Sequence, residues 1–109
     1  MTNNLDALFS ALSDPTRRAV IEALLDGPAQ VGDLHAPHDM ALPTFLRHLK
    51  VLETGGLVTS TKKGRVRTVS LRPEALSAGA DWLNSHKAVW EGRMDRLARL
   101  ADRTNKTQS

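Results

Sequence analysis

The chain has 109 residues, 40% of them hydrophobic and 25% charged, with a formal net charge of +3, the make-up of one soluble globular domain rather than a disordered chain. It contains no cysteine, which excludes disulfides, thiolate metal sites and thiol nucleophiles. No apolar run approaches the ~20 residues of a membrane span, and the N-terminus has neither the basic start nor the long apolar stretch of a signal peptide, so a cytoplasmic protein is expected.

In chain order, Leu5, Leu8, Phe9 and Leu12 recur at i, i+3, i+4 and i+7, which predicts an amphipathic first helix. Ser13-Asp14-Pro15 stops it and starts a second, with a capping side chain followed by a proline where no backbone donor is needed. That helix is expected to run to about Leu25, ending at Gly27-Pro28. A short helix from Val31 to about Ala36 follows, limited by Pro37. The next helix spans Leu42 to Thr54 and ends at Gly55-Gly56. Its spacing puts Leu42, Phe45, Leu49 and Leu52 on one face and Pro43, Thr44, Arg47, Lys50 and Val51 on the other. Two Val- and Thr-rich runs, Leu57–Thr61 and Val66–Leu71, read as strands joined by a loop of Lys62, Lys63, Gly64 and Arg65. Pro73 opens a last helical stretch to about Ala101, with a break expected near Gly79 and an apolar stripe of Leu83, Trp90, Met94, Leu97 and Ala101. One domain over residues 1–102 and a disordered tail over 103–109 complete this reading.

Helix, helix, short helix, helix, hairpin, long helix is the order of a winged helix-turn-helix, a mainly α fold with a small β-hairpin. Charge follows that order. Residues 1–41 hold two bases and six acids, residues 42–72 hold seven bases and one acid, and residues 73–109 hold six bases and five acids. The positive block therefore covers the second helix of the helix-turn-helix and the wing. A helix fits the major groove of double-stranded DNA, where an arginine can bond a guanine edge with two hydrogen bonds. On this basis Pro43, Thr44, Leu46, Arg47, His48 and Lys50 are expected to face operator DNA from the helix, and Lys62, Lys63, Arg65 and Arg67 from the wing. His48 lies on the helix flank, where a phosphate contact and an interhelical hydrogen bond are both open. Arg17 and Arg18 are expected to be solvated or paired with acids, with a phosphate contact as the alternative.

The segments LFSALSDPTRRAVIEALLDGPAQVGDL, LPTFLRHLKVLETGGLV and KKGRVRTVSL resemble the ArsR-type winged-helix repressors of bacteria, and the likeness runs from Leu5 to Leu100. The resemblance implies a homodimeric transcriptional repressor whose first and last helices pair across the dimer while the 42–54 helix reads a palindromic operator. Dimer-interface residues on this reading are Leu5, Leu8, Phe9 and Leu12 at one end and Leu83, Trp90, Met94 and Leu97 at the other. Gln30 and Gly32 stand where family metal sensors carry a CxC pair, and Asp81, His86 and Glu91 do not reproduce the ligand spacing of zinc and nickel sensors. The resemblance therefore points to the branch without a cysteine metal site. Leu46 stands where a small polar residue is common, and Ala41 where serine is; either can touch a thymine methyl or simply pack.

His35, His38 and Asp39 form an H-x-x-H-D cluster with ligand chemistry, but two adjacent prolines favour surface or helix-capping roles, and no metal or cofactor is expected. No phosphate-binding glycine loop or nucleophile-elbow motif is present, so an enzyme is not expected. A winged-helix module acting through protein contacts is one alternative. A ligand-responsive sensor, with Trp82 and Trp90 as candidate pocket residues, is another.

Overall fold

A computed structural model describes residues 4–108, with side chains described for 5–103. The elements are α1 (Asn4–Leu12), α2 (Pro15–Leu24), β1 (Ala29–Gln30), α3 (Val31–His35), α4 (Leu42–Thr54), β2 (Val58–Lys63), β3 (Val66–Leu71) and α5 (Pro73–Gln108). The chain separates into two compact units after Gly79.

In the first unit the predicted helical spacing becomes the core. Phe45, Leu49 and Leu52 of α4 are fully buried with Val20 of α2, Leu57 and Val69. Leu42 departs from this set. It stands at the first position of α4, before the helix has turned onto the core, and remains 45% exposed. Asp14 caps α2 by accepting the Arg17 backbone N–H at 3.0 Å, with Pro15 in the first turn. At the start of α4, Ala41 offers no side-chain cap, and Pro43 lies in the first turn instead.

The sheet is antiparallel and three-stranded, in the order β1-β3-β2. β1, which sequence reading does not predict, pairs Ala29 with Val69 and Gln30 with Thr68. Two residues are too few to show an alternating pattern, and only the neighbouring strand makes them a strand. Lys62 and Lys63 belong to β2 and pair with Arg67 and Val66, which corrects the expected four-residue loop. The turn is two residues, Gly64-Arg65, and Gly64 at φ +60° takes the first turn position, where a type II′ hairpin turn requires glycine. Val58 and Val69 anchor the base of the hairpin in the core, and from Thr61 to Val66 every residue is exposed. The wing therefore projects as a basic tip on an apolar root.

α5 does not break at Gly79; it is one helix from Pro73 to Gln108. It continues over 103–108, where the composition suggested a disordered tail, a stretch with neither proline nor glycine to end a helix. In the second unit, from Ala80 onward, the helix presents Leu83, Val89, Trp90, Met94, Leu97 and Leu100 as exposed apolar side chains. Arg93 lies over the Trp90 ring at 5.3 Å, and Lys87 pairs with Glu91 one turn on.

Candidate nucleic-acid interface

The short turn from α3 to α4 sets how α4 is presented. Phe45 is fully buried beneath it, and the rings of His35 and His38 lie 5.2 Å and 5.5 Å from the Phe45 ring. His35 Nε2 is 2.8 Å from the Met40 carbonyl oxygen, so His35 clips the turn closed with a nitrogen a metal would need. Among the described residues no group of three His, Asp or Glu side chains is placed to hold a metal.

On α4, Pro43, Thr44, Arg47 and Lys50 are exposed, and Leu46 is half-buried against the core. An open groove of about 720 Å³ separates the start of α4 from the wing, with Leu42 and Leu46 on one wall and Lys62, Arg65 and Arg67 on the other. Both predicted contact elements thus border one groove. Among the described residues, Arg47, Lys62, Lys63 and Arg65 make no ion pair. Their charge is available to a polyanion, while the apolar wall of Leu42 and Leu46 suits methyl groups and sugars.

Two of the expected contact residues, both half-buried, have polar partners within the protein. His48 Nδ1 lies 3.3 Å from Arg17 Nη1 and 3.6 Å from Asp14 Oδ2. The unprotonated nitrogen accepts from Arg17, and a protonated ring faces the Asp14 carboxylate as a charge pair. In either form His48 joins α4 to the start of α2, the interhelical alternative of the sequence reading. Burial pushes the Asp14 carboxyl up, but the Arg17 N–H bond and the attraction of His48 and Arg17 outweigh it, and Asp14 titrates below its ordinary 3.8.

Arg67 is the second. Its Nη2 donates to Glu53 Oε1 at 2.6 Å and its Nε to Ser60 Oγ at 3.1 Å, and Ser60 Oγ donates to the same Glu53 oxygen. The guanidinium that sequence reading expects to face DNA thus already holds two partners within the molecule. The Ser60 hydrogen bond holds Glu53 below its ordinary 4.5; burial opposes this, and the bond and charge of Arg67, with Lys50 nearby, reinforce it.

Arg17 and Arg18 do work that sequence reading missed. Arg17 donates through Nε to the Ala11 carbonyl and through Nη2 to that of Ser10, each at 3.1 Å, and Arg18 Nη1 donates to the Leu12 carbonyl. These are carbonyls of the last turn of α1, which have no partner within the helix and sit at its negative end. The available signal was two arginines five and six residues beyond a helix end. Leu8, expected at a dimer interface, is 3% exposed and belongs to the core. Leu5 and Leu12 are half-buried, and Phe9 is 39% exposed.

The sequence profile of the family described as "Helix-turn-helix domain" matches residues 12–61. The HTH-type transcriptional regulator Rv2034 of Mycobacterium tuberculosis is 41% identical over 73 residues, 67% of this chain and 68% of that protein. The transcriptional repressor SdpR of Bacillus subtilis is 28% identical over 79 residues, 72% of this chain and 88% of that protein. A crystal structure of an ArsR family transcriptional regulator is 45% identical with a TM-score of 0.76, covering 82% of this chain and 98% of that one.

Proposed function

Because the chain belongs to the ArsR family of helix-turn-helix transcriptional regulators, we propose that it acts as a homodimeric repressor that grips an imperfectly palindromic operator through α4 and the wing. The observation that carries this reading is the match between charge and topology. The block with seven bases and one acid coincides with α4 and the wing, and Lys62 and Arg65, which make no ion pair among the described residues, line the groove between the two. Arg47 reads a base edge; Pro43, Thr44 and Leu46 pack along the groove; and Lys50, Lys62, Lys63 and Arg65 neutralise phosphates.

The second copy is recruited by the apolar stripe of α5, Leu83, Trp90, Met94 and Leu97, all more than half exposed, with Leu5, Phe9 and Leu12 of α1 contributing. Two copies of α4 related by a two-fold axis then reach successive major grooves about 34 Å apart. No helix among the described residues is long and apolar enough to cross a membrane, and the proposed place of action is the cytoplasm, on chromosomal DNA.

Selection of bound fragments from genomic DNA, followed by titration against the selected and scrambled duplexes at several salt concentrations, tests the reading. A palindromic fragment bound at least ~10³-fold more tightly than scrambled DNA is expected. Equal binding of both overturns it.

A further inference from the structure

Glu53 is the only acid among residues 42–72. A carboxylate inside a phosphate-binding block repels the nucleic acid the block attracts, so its presence there calls for a reason. It lies in the last turn of α4, and its Oε1 accepts from Arg67 of β3 at 2.6 Å and from Ser60 of β2. Arg67 Nε also donates to Ser60, at 3.1 Å, so one carboxylate oxygen gathers groups from both strands of the wing. Ser60 and Arg67 share a sheet face with buried Val58 and Val69, and the Glu53 side chain is only 21% exposed. Partial burial makes such a charge-assisted bond stronger than a pair in open water.

Resting on the DNA-reading role of α4 and the wing, we propose that Glu53 is a positioning residue for sequence discrimination. It ties the wing to the end of the reading helix through Arg67 and Ser60 without touching DNA. Pairing between β2 and β3 holds the strands to each other, whereas the Glu53 tie sets the angle of the hairpin against α4. Operator binding needs the helix in its groove and the wing on its phosphates at the same time. Binding to arbitrary sequence needs only charge. Removing Glu53 therefore has opposite effects on the two: the wing loses its fixed angle, while the site gains net positive charge and a freed guanidinium. Loss of folding lowers both affinities and does not reproduce this split.

The test titrates full-length wild type, Glu53→Gln, Arg67→Lys and Ser60→Ala against the genomically selected operator and a scrambled duplex, with melting temperatures recorded. Glu53→Gln is expected to weaken operator binding roughly tenfold and to leave scrambled binding unchanged or raise it about twofold. Arg67→Lys, which keeps the charge but loses the two-pronged geometry, is expected to lower the same ratio. Ser60→Ala adds no charge and serves as the milder variant, with an expected loss of about threefold in the ratio. A discriminating wild type whose operator-to-scrambled ratio survives Glu53→Gln or, where that variant does not fold, Ser60→Ala overturns this proposal alone. A wild type that does not discriminate overturns the DNA reading, and this proposal with it.

Discussion

A Cβ on Gly79 would clash with Leu8 Cδ2, so the start of α5 meets α1 where any larger residue requires the Leu8 side chain to shift. Glycine inside a helix is ordinarily unfavourable by about 1 kcal/mol relative to alanine. The Leu8 side chain that would have to shift is itself 3% exposed and packed in the core. Gly79→Ala is expected to destabilise the protein by about 1–3 kcal/mol despite its better helix propensity. Urea unfolding checks this, and Leu8→Ala introduced alongside Gly79→Ala should remove most of the clash term, leaving the cost of the Leu8 truncation. An equal or higher midpoint for Gly79→Ala alone would show that Leu8 moves aside freely.

Asp14 and Glu53 both titrate below their ordinary values. For an acid whose folded pKa is depressed, the stabilisation is full above the unfolded value and disappears as pH falls through the folded one. Stability should therefore drop below about pH 4. Asp14→Asn keeps a good cap but removes the charge that His48 and Arg17 face. It should cost about 1 kcal/mol near neutrality and nothing once Asp14 is protonated. Denaturant midpoints across pH for both proteins read this directly, and parallel curves would mean that Asp14 carries no pH-dependent share.

Arg47→Ala should cost roughly 1–3 kcal/mol on the operator and relax base preference at one position per half-site. Lys63→Ala and Arg65→Ala should weaken all duplexes by similar factors and flatten the salt dependence. If the wing variants change base preference and Arg47→Ala does not, the roles of helix and wing are reversed.

Light scattering at micromolar concentration is expected to give about twice the 11.9 kDa chain mass. Leu97→Glu places a charge in the apolar stripe of α5, where Leu97 is 60% exposed in the single chain. It should yield monomers and lower operator affinity by about two orders of magnitude, because the half-sites are no longer gripped together. A monomeric wild type would overturn the homodimer, and a dimeric Leu97→Glu protein would place the interface elsewhere.

Zinc, nickel or cadmium near stoichiometry should leave operator affinity unchanged. Gln30 and Gly32 are not metal ligands, and His35 Nε2 is engaged by the Met40 carbonyl. A tenfold loss reversed by chelator would turn attention back to His35, His38 and Asp39.

Much of this molecule is written locally. The spacing of Phe45, Leu49 and Leu52, the Asp14-Pro15 start and the Gly64 turn are decided within a few residues, because helix period, caps and turn conformation depend on near neighbours. From the same information came the winged helix order and the basic block, and with them the exposed candidates Arg47, Lys50, Lys62, Lys63 and Arg65. What only the tertiary structure decided is which polar groups were already engaged. Arg67 looks identical to Arg65 in sequence, yet one is bound to Glu53 fourteen residues away and the other makes no ion pair among the described residues. His48 meets Arg17 across thirty-one residues, Leu8 is claimed by the core, and Gly79 serves a close approach where glycine suggested a break. Each of these depends on distances between elements remote in the chain, and hydrogen bonding and steric exclusion act over a few ångströms of space whatever the separation in sequence.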